Sequence, residues 1–236
     1  PRACHSMRDQ RASKDEGRSD VMTLTGPAFD KVEILDLTRV LDTNLPTYAD
    51  GDYSDPPFEM ENWCTIRSQG YRVGRLSLGT QTGTHIDAPA HFAEDGAELE
   101  ALPLDALVGR YLWVDLHEVM QDQDPGFEAV QHGKTILFLT SSDGAETQLS
   151  EMVLHALLDL SCSVWLSVYA IQVAGQGPLY FHQALAKAGK YLIEDVDERM
   201  AARVRPGGEL IALPLRLRRA SGAPCRVIVR QPTNRG

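Results

Sequence analysis

Long uninterrupted apolar runs are missing from this chain of 236 residues. The nearest approach, residues 152–174, is broken by His155, Asp159, Ser161, Ser163, Ser167 and Gln172. So many polar groups would be costly in hydrocarbon, so no membrane association is expected and the stretch reads as a buried helix followed by a buried strand. Cysteine is scarce: Cys4, Cys64, Cys162 and Cys225 are scattered, with no C-x-x-C pair. That excludes a dense disulfide framework and fits reduced, packed thiols in a cytoplasmic protein. Positive charge is in deficit, with 23 Lys plus Arg against 33 Asp plus Glu and a net charge of −10. Nucleic-acid binders show the opposite balance on at least one face, so no nucleic-acid partner is expected. No glycine group has the G-x-G-x-x-G spacing of a dinucleotide fold, and no G-x-S-x-G elbow is present.

What the chain does have is enough apolar material, 43% of residues, for a real core. Residues 1–28 are charged, rich in Ser and Gly and without apolar period, and read as a polar N-terminal extension. Residues 29–236 then form a single domain. Short apolar segments at 33–37, 111–116, 135–140, 164–171, 191–194, 209–213 and 226–229 read as strands, and 72–78 alternates like a half-exposed one. Helices are expected at 102–108, at 151–160 behind an N-capping Ser150, at 181–188 ending before Gly189, and at 196–204. Their irregular order implies an α/β or α+β domain and not a regular βαβ series.

Polar chemistry concentrates in one stretch, Gly79-Thr-Gln-Thr-Gly-Thr-His-Ile-Asp-Ala-Pro-Ala-His-Phe92. Gln81, His85, Asp87 and His91 follow one another at spacings of four, two and four. An H-x-D pair in extended chain puts imidazole and carboxylate on one face, and those are the usual nitrogen and oxygen ligands of zinc or manganese. The plainer alternative is a polar turn whose histidines cap backbone groups. A second cluster lies in 180–195. His182 would open a helix of about 12 Å, and Glu194 would end a strand returning about 16 Å. Helix start and strand end then meet at one edge of the domain, so the two side chains could share a metal; either alone would more simply be solvated.

The segment QTGTHIDAPAH resembles the H-x-G-T-H-x-D-x-P-x-H signature of the cyclase family, which includes bacterial kynurenine formamidases and isatin hydrolases. The likeness runs from ILDLTRVLDTNLP near Leu35 to FHQALAKAGKYLIED at Asp195. It implies a swivelling β/α/β domain with a mixed sheet, usually assembled as a homodimer or homotetramer. It also implies metal ligands at His85, Asp87, His182 and Glu194, with His91 as general acid/base. The family's first motif histidine is Gln81 here, whose amide is a weaker ligand or a substrate-binding group, so the metal centre could be reduced or lost. The family's Asp-x-Pro-Ser type loop is replaced by 170–177, AIQVAGQG.

Such a site suits hydrolysis of an amide, lactam or ester in a small, partly aromatic metabolite. With an internal nucleophile in place of water, the same groups would close a ring in a secondary-metabolite pathway; a metal-free binding protein is the remaining alternative. Phe92, directly after His91, is the foremost candidate for the substrate pocket. Trp63, Tyr71, Trp113, Tyr169 and Tyr180 are further candidates, with core packing the default for most of them. The arginine-rich C-terminal region reads as a charged edge hairpin, and His117, His132 and His155 as structural or surface groups.

Overall fold

The computed structural model describes residues 32–121 and 136–233; the expected N-terminal extension at 1–28 and His132 lie outside them. Fourteen strands run in chain order as β1 (Val32–Asp36), β2 (Ala49–Asp50), β3 (Tyr53–Ser54), β4 (Glu59–Cys64), β5 (Val73–Ser77), β6 (His85–Asp87) and β7 (Val108–Asp115). They continue as β8 (Ile136–Thr140), β9 (Thr147–Leu149), β10 (Val164–Ser167), β11 (Ile171–Val173), β12 (Tyr191–Glu194), β13 (Glu209–Pro214) and β14 (Gly222–Pro232). The α-helices are α1 (Ile66–Gln69), α2 (Leu116–Gln121), α3 (Glu151–Leu158), α4 (Tyr180–Lys187) and α5 (Glu198–Ala201).

Eight strands form one mixed sheet in the order β1-β14-β13-β7-β8-β10-β12-β6, and β6 also pairs with β14, which closes it. The segment β7-β8-β10-β12 is parallel and the remaining pairings are antiparallel. Strict alternation along the parallel strands builds two cores. Ile136, Phe138, Val164, Leu166, Tyr191 and Ile193 point to one side, packed with Ile86, Val227 and Val229. Leu137, Leu139, Trp165 and Leu192 point to the other, beneath Val153, Leu154 and Leu157 of α3 and Phe181 and Leu185 of α4. A strand buried on both faces needs apolar residues at every position, which is why β8 reads as the continuous run ILFL. The architecture is the mixed-sheet α/β fold that the sequence implies.

Local chemistry explains most element boundaries. Ser150 caps α3 by accepting from the Val153 amide at 3.3 Å. Gly189, at φ +69°, lets the chain leave α4 in a left-handed turn that turns it into β12.

Several expectations need correction. Residues 102–108 are not a helix, because Pro103 separates two 3-10 turns at Leu99–Ala101 and Leu104–Leu107. The strand expected at 111–116 is β7, and Leu116 instead opens α2. The helix expected at 196–204 shrinks to α5, because Asp197 caps it by accepting from the Arg199 and Met200 amides. The run 164–171 is two strands in different sheets, since β11 pairs with β9 and the chain bends at 168–170. The β13–β14 hairpin is not an edge: it lies inside the large sheet. Its arginines meet acids on neighbouring strands, Arg226 with Asp36 and Arg230 with Glu209. Within the strand expected at 72–78, β5 is wholly exposed, because among the described residues it pairs only with β4 in a separate two-stranded ribbon. Among the described residues no helix is long and apolar enough to cross a membrane, and 152–174 is α3 followed by β10 and β11.

Candidate metal centre

Strand register creates the site. In the antiparallel pair β6–β12, His85 lies opposite Glu194 and Asp87 opposite Leu192. Directly opposed residues share a face, and so do positions i and i+2, so His85, Asp87 and Glu194 all point to the α4 side of the sheet. Ile86 and Ile193 between them point into the other core. His182, in the first turn of α4, comes down onto the same face, and its Nε2 lies 3.2 Å from Glu194 Oε2. The helix start and the strand end therefore meet as their lengths require.

The ring of His85 is fixed by its neighbours. Its Nδ1 lies 2.7 Å from the Gly83 carbonyl, a contact in which Nδ1–H donates, so that Nε2 is the nitrogen turned toward the carboxylates. Gly83 sits at φ +63°, and a Cβ there would come within 2.5 Å of Leu41 Cδ2, so the turn that presents this carbonyl requires glycine. Nε2 faces Asp87 Oδ1 at 3.6 Å and Glu194 Oε1 at 3.7 Å. His85, Asp87 and Glu194 each offer one ligand atom, all within 4.8 Å of one another. His85 and Asp87 are buried, whereas the Glu194 side chain is 30% exposed, so the cluster has one open side.

Burial dominates the electrostatics of Asp87. It raises the carboxyl above its ordinary value against the opposing pull of His85. Burial also acts to raise Glu194, but its bond to His182 and the charges of His182 and His85 outweigh this and leave it lowered. Burial pulls the His182 imidazole down, and the Glu194 contact more than reverses it. Nδ1 of His182 is buried and has no hydrogen-bond partner among the described residues, beside the rings of Phe92 and Phe181 at centroid distances of 5.0 and 5.5 Å.

Gln81 is held at both ends of its amide. Its oxygen accepts from Thr80 Oγ1 at 2.5 Å, and its Nε2 donates to Asp87 Oδ1 at 3.2 Å. Gly222 of β14 backs this contact: a Cβ there would come within 2.6 Å of Gln81 Nε2 and of the Ile86 carbonyl. Gly222→Ala is accordingly expected to cost about 1–3 kcal/mol of stability in denaturant melts, by overpacking against backbone.

His91 ends the 3-10 turn Pro89–His91 that follows β6 and is exposed. Its charge is felt by both Asp87 and Glu194, and its ring meets Phe92 edge-on at 4.4 Å. Phe92 thus lies between the His91 and His182 rings. Of the other aromatic candidates, Tyr169 lines the adjoining cavity. Trp113 and Tyr180 pack against the two cores, and Trp63 and Tyr71 are exposed, in β4 and just ahead of β5.

A cavity of about 460 Å³ opens beside the cluster, lined among others by Arg39, Ser167, Tyr169, His182, Glu194 and Asp195. It lies at the carboxyl ends of the parallel strands β10 and β12, where open α/β sheets form their ligand crevices. A larger groove of about 860 Å³, between the Leu99–Leu107 turns and 213–218, contains none of the cluster. Sequence reading missed Arg39, Thr84 and Asp195. Thr84 Oγ1 accepts from the Arg39 amide at 2.9 Å and donates to the Asp195 carbonyl at 2.6 Å. Arg39 in turn binds the Val196 carbonyl and Glu198. Asp195 has φ 57°, a left-handed conformation in a residue that gave no sequence signal beyond following Glu194.

The model of a family described as "Putative cyclase" matches residues 35–158. A kynurenine formamidase from Bacillus cereus is 31% identical over 212 residues, covering 84% of this chain and 97% of the relative. One from Bacillus mycoides is 30% identical over 211 residues, covering 83% and 96%. Isatin hydrolase A from Labrenzia aggregata, solved bound to benzyl benzoate, aligns with a TM-score of 0.68 at 23% identity, covering 86% of this chain and 94% of that one. A structure described as a potential metal-dependent hydrolase with cyclase activity aligns with a TM-score of 0.63 at 24% identity, covering 86% and 100%.

Proposed function

This chain belongs to the cyclase family, and from that premise we propose that it is a metal-dependent hydrolase of an amide, lactam or ester in a small, partly aromatic metabolite. The observation that carries the reading is the convergence of His85, Asp87 and Glu194 from two paired strands. One imidazole and two carboxylates, with no thiolate, form a borderline-to-hard donor set that suits zinc or manganese. The cavity beside the cluster has the volume of a small-molecule site, and Tyr169 gives it one aromatic wall.

A divalent ion held there would polarise the scissile carbonyl and bring a bound water toward neutral pKa. The protein's own groups do the rest. His91, an exposed imidazole within electrostatic reach of both carboxylates, takes the proton of the attacking water and returns it to the leaving group. Phe92 meets the His91 ring edge-on and also contacts the His182 ring, which sets His91 beside the cluster. The chain acts as a homo-oligomer in this reading. Met60, Trp63, Ile66, Tyr71 and Leu76 around β4 and β5 are all exposed, apolar surface that a second copy would cover.

Protein loaded with zinc or manganese is expected to hydrolyse N-formylkynurenine or isatin, and chelation is expected to abolish the activity. Solvent ¹⁸O should enter the product. Silence on both substrates with metal bound, and release of an isomeric or dehydrated product from another substrate, would replace hydrolysis by ring closure at the same groups.

A further inference from the structure

Not all close contacts in the cluster are of one kind. His85 Nε2 stands 3.6 Å from Asp87 Oδ1 and 3.7 Å from Glu194 Oε1. Those separations are too long for hydrogen bonds. They are near the edge, about 3.4 Å, of a tetrahedron with metal–ligand bonds of about 2.1 Å. The two flanking contacts differ. Gln81 Nε2 lies 3.2 Å from Asp87 Oδ1, and His182 Nε2 lies 3.2 Å from Glu194 Oε2, both hydrogen-bond lengths.

We propose that this chain holds a single divalent ion on His85, Asp87 and Glu194, and that Gln81 and His182 are positioning residues, each donating a hydrogen bond to one of the two carboxylates. The inference rests on the metal-dependent reading above and narrows it to one ion with three protein ligands.

Glu194 divides its oxygens, Oε1 toward His85 and Oε2 toward His182. Among the described residues the Oε2 side brings His182 to Glu194 and forms no second group of three ligands, too few for a second tight site. On the Asp87 side, the donor Nε2 of Gln81 already occupies Oδ1, and its orientation is dictated because Thr80 donates to the other end of the amide. Nε2 is the His182 nitrogen that meets Glu194, while among the described residues its Nδ1 has no hydrogen-bond partner and lies against the Phe92 ring. Donors in this position orient ligands and typically carry a 10–100-fold share of metal affinity.

The test is equilibrium metal binding, read by competition with a chromogenic chelator and by elemental analysis of the full chain. Wild type is expected to bind one zinc ion per chain. His85→Ala should weaken zinc binding at least about 1,000-fold, as loss of one of only three ligands demands. Gln81→Met, which keeps the volume and loses the donor, should weaken it about 10–100-fold. His182→Gln, which retains an N–H donor, should stay within about 10-fold of wild type, and His182→Phe should match Gln81→Met. Each variant is melted first, and the conservative His182→Gln carries the decision if His182→Phe does not fold. Two ions per chain, or a loss in His182→Gln equal to that in His85→Ala, overturns the inference and leaves a metal-dependent enzyme standing. One tightly bound ion without hydrolysis defeats the hydrolase reading alone, and no bound ion defeats both.

Discussion

His91→Ala is expected to lower kcat by about 100–10,000-fold, the usual share of a positioned proton-transfer group. Metal content and melting temperature should not change. His91 is exposed, its side chain makes no hydrogen bond or ion pair among the described residues, and it touches the site through the Phe92 ring and through charge alone. Its loss therefore leaves the buried cluster and both cores in place. Steady-state kinetics beside elemental analysis separates the outcomes. A kcat within about threefold of wild type removes the acid/base role, and loss of the ion would make His91 a ligand.

Asp87→Asn should have opposite effects on metal-free stability and on activity. In the metal-free chain, burial raises the Asp87 carboxyl above its ordinary 3.8. The native state then holds a proton that the unfolded chain releases. This group therefore contributes least to stability at high pH, and its contribution falls as pH climbs from about 4 through the raised value. Asn carries no such penalty and can still meet Gln81, so the metal-free variant should melt higher than wild type at neutral pH. Glu194 titrates in the opposite sense, since its carboxyl is lowered; its contribution is present above the ordinary 4.5 and is lost as pH falls through the lowered value. The difference between wild type and Asp87→Asn isolates the Asp87 part. Added zinc reverses the order: it should stabilise wild type by about 4 kcal/mol at 1,000 times its Kd and Asp87→Asn far less. Turnover of the variant should fall at least about 1,000-fold with loss of the bound ion. Calorimetry with and without zinc across pH 4–8 checks both halves, and a metal-free variant no more stable than wild type would show that burial of this carboxylate carries no cost.

Local signals were read correctly where the deciding interaction is local. The Ser150 cap, the Gly189 exit and the extended H-x-D each depend on residues within four positions of one another. The bend at 168–170 was not legible, because it depends on β11 finding β9, a partner more than twenty residues earlier in the chain. The exposure of β5 was hidden for a similar reason. Its alternation of apolar and polar residues promises a buried face, but β4 is its only strand partner. The position of the arginine-rich hairpin also needed coordinates: alternate charges suggested an edge, whereas the acids that meet them lie on β1 and β13.

By itself the sequence determined most of the apolar segments that fill the interior, the strand-then-turn that carries His85, Asp87 and His91, and the return path that brings His182 back to Glu194. Those follow from side-chain period and chain geometry, which act over a few residues. Only the tertiary structure decided that His85 faces Glu194 across a strand pair, that Gln81 turns its N–H toward Asp87, and that Thr84 ties Arg39 to Asp195 beside the cluster. Pairing register and amide orientation are set by partners far away in the chain, and no local pattern encodes a distance of that kind.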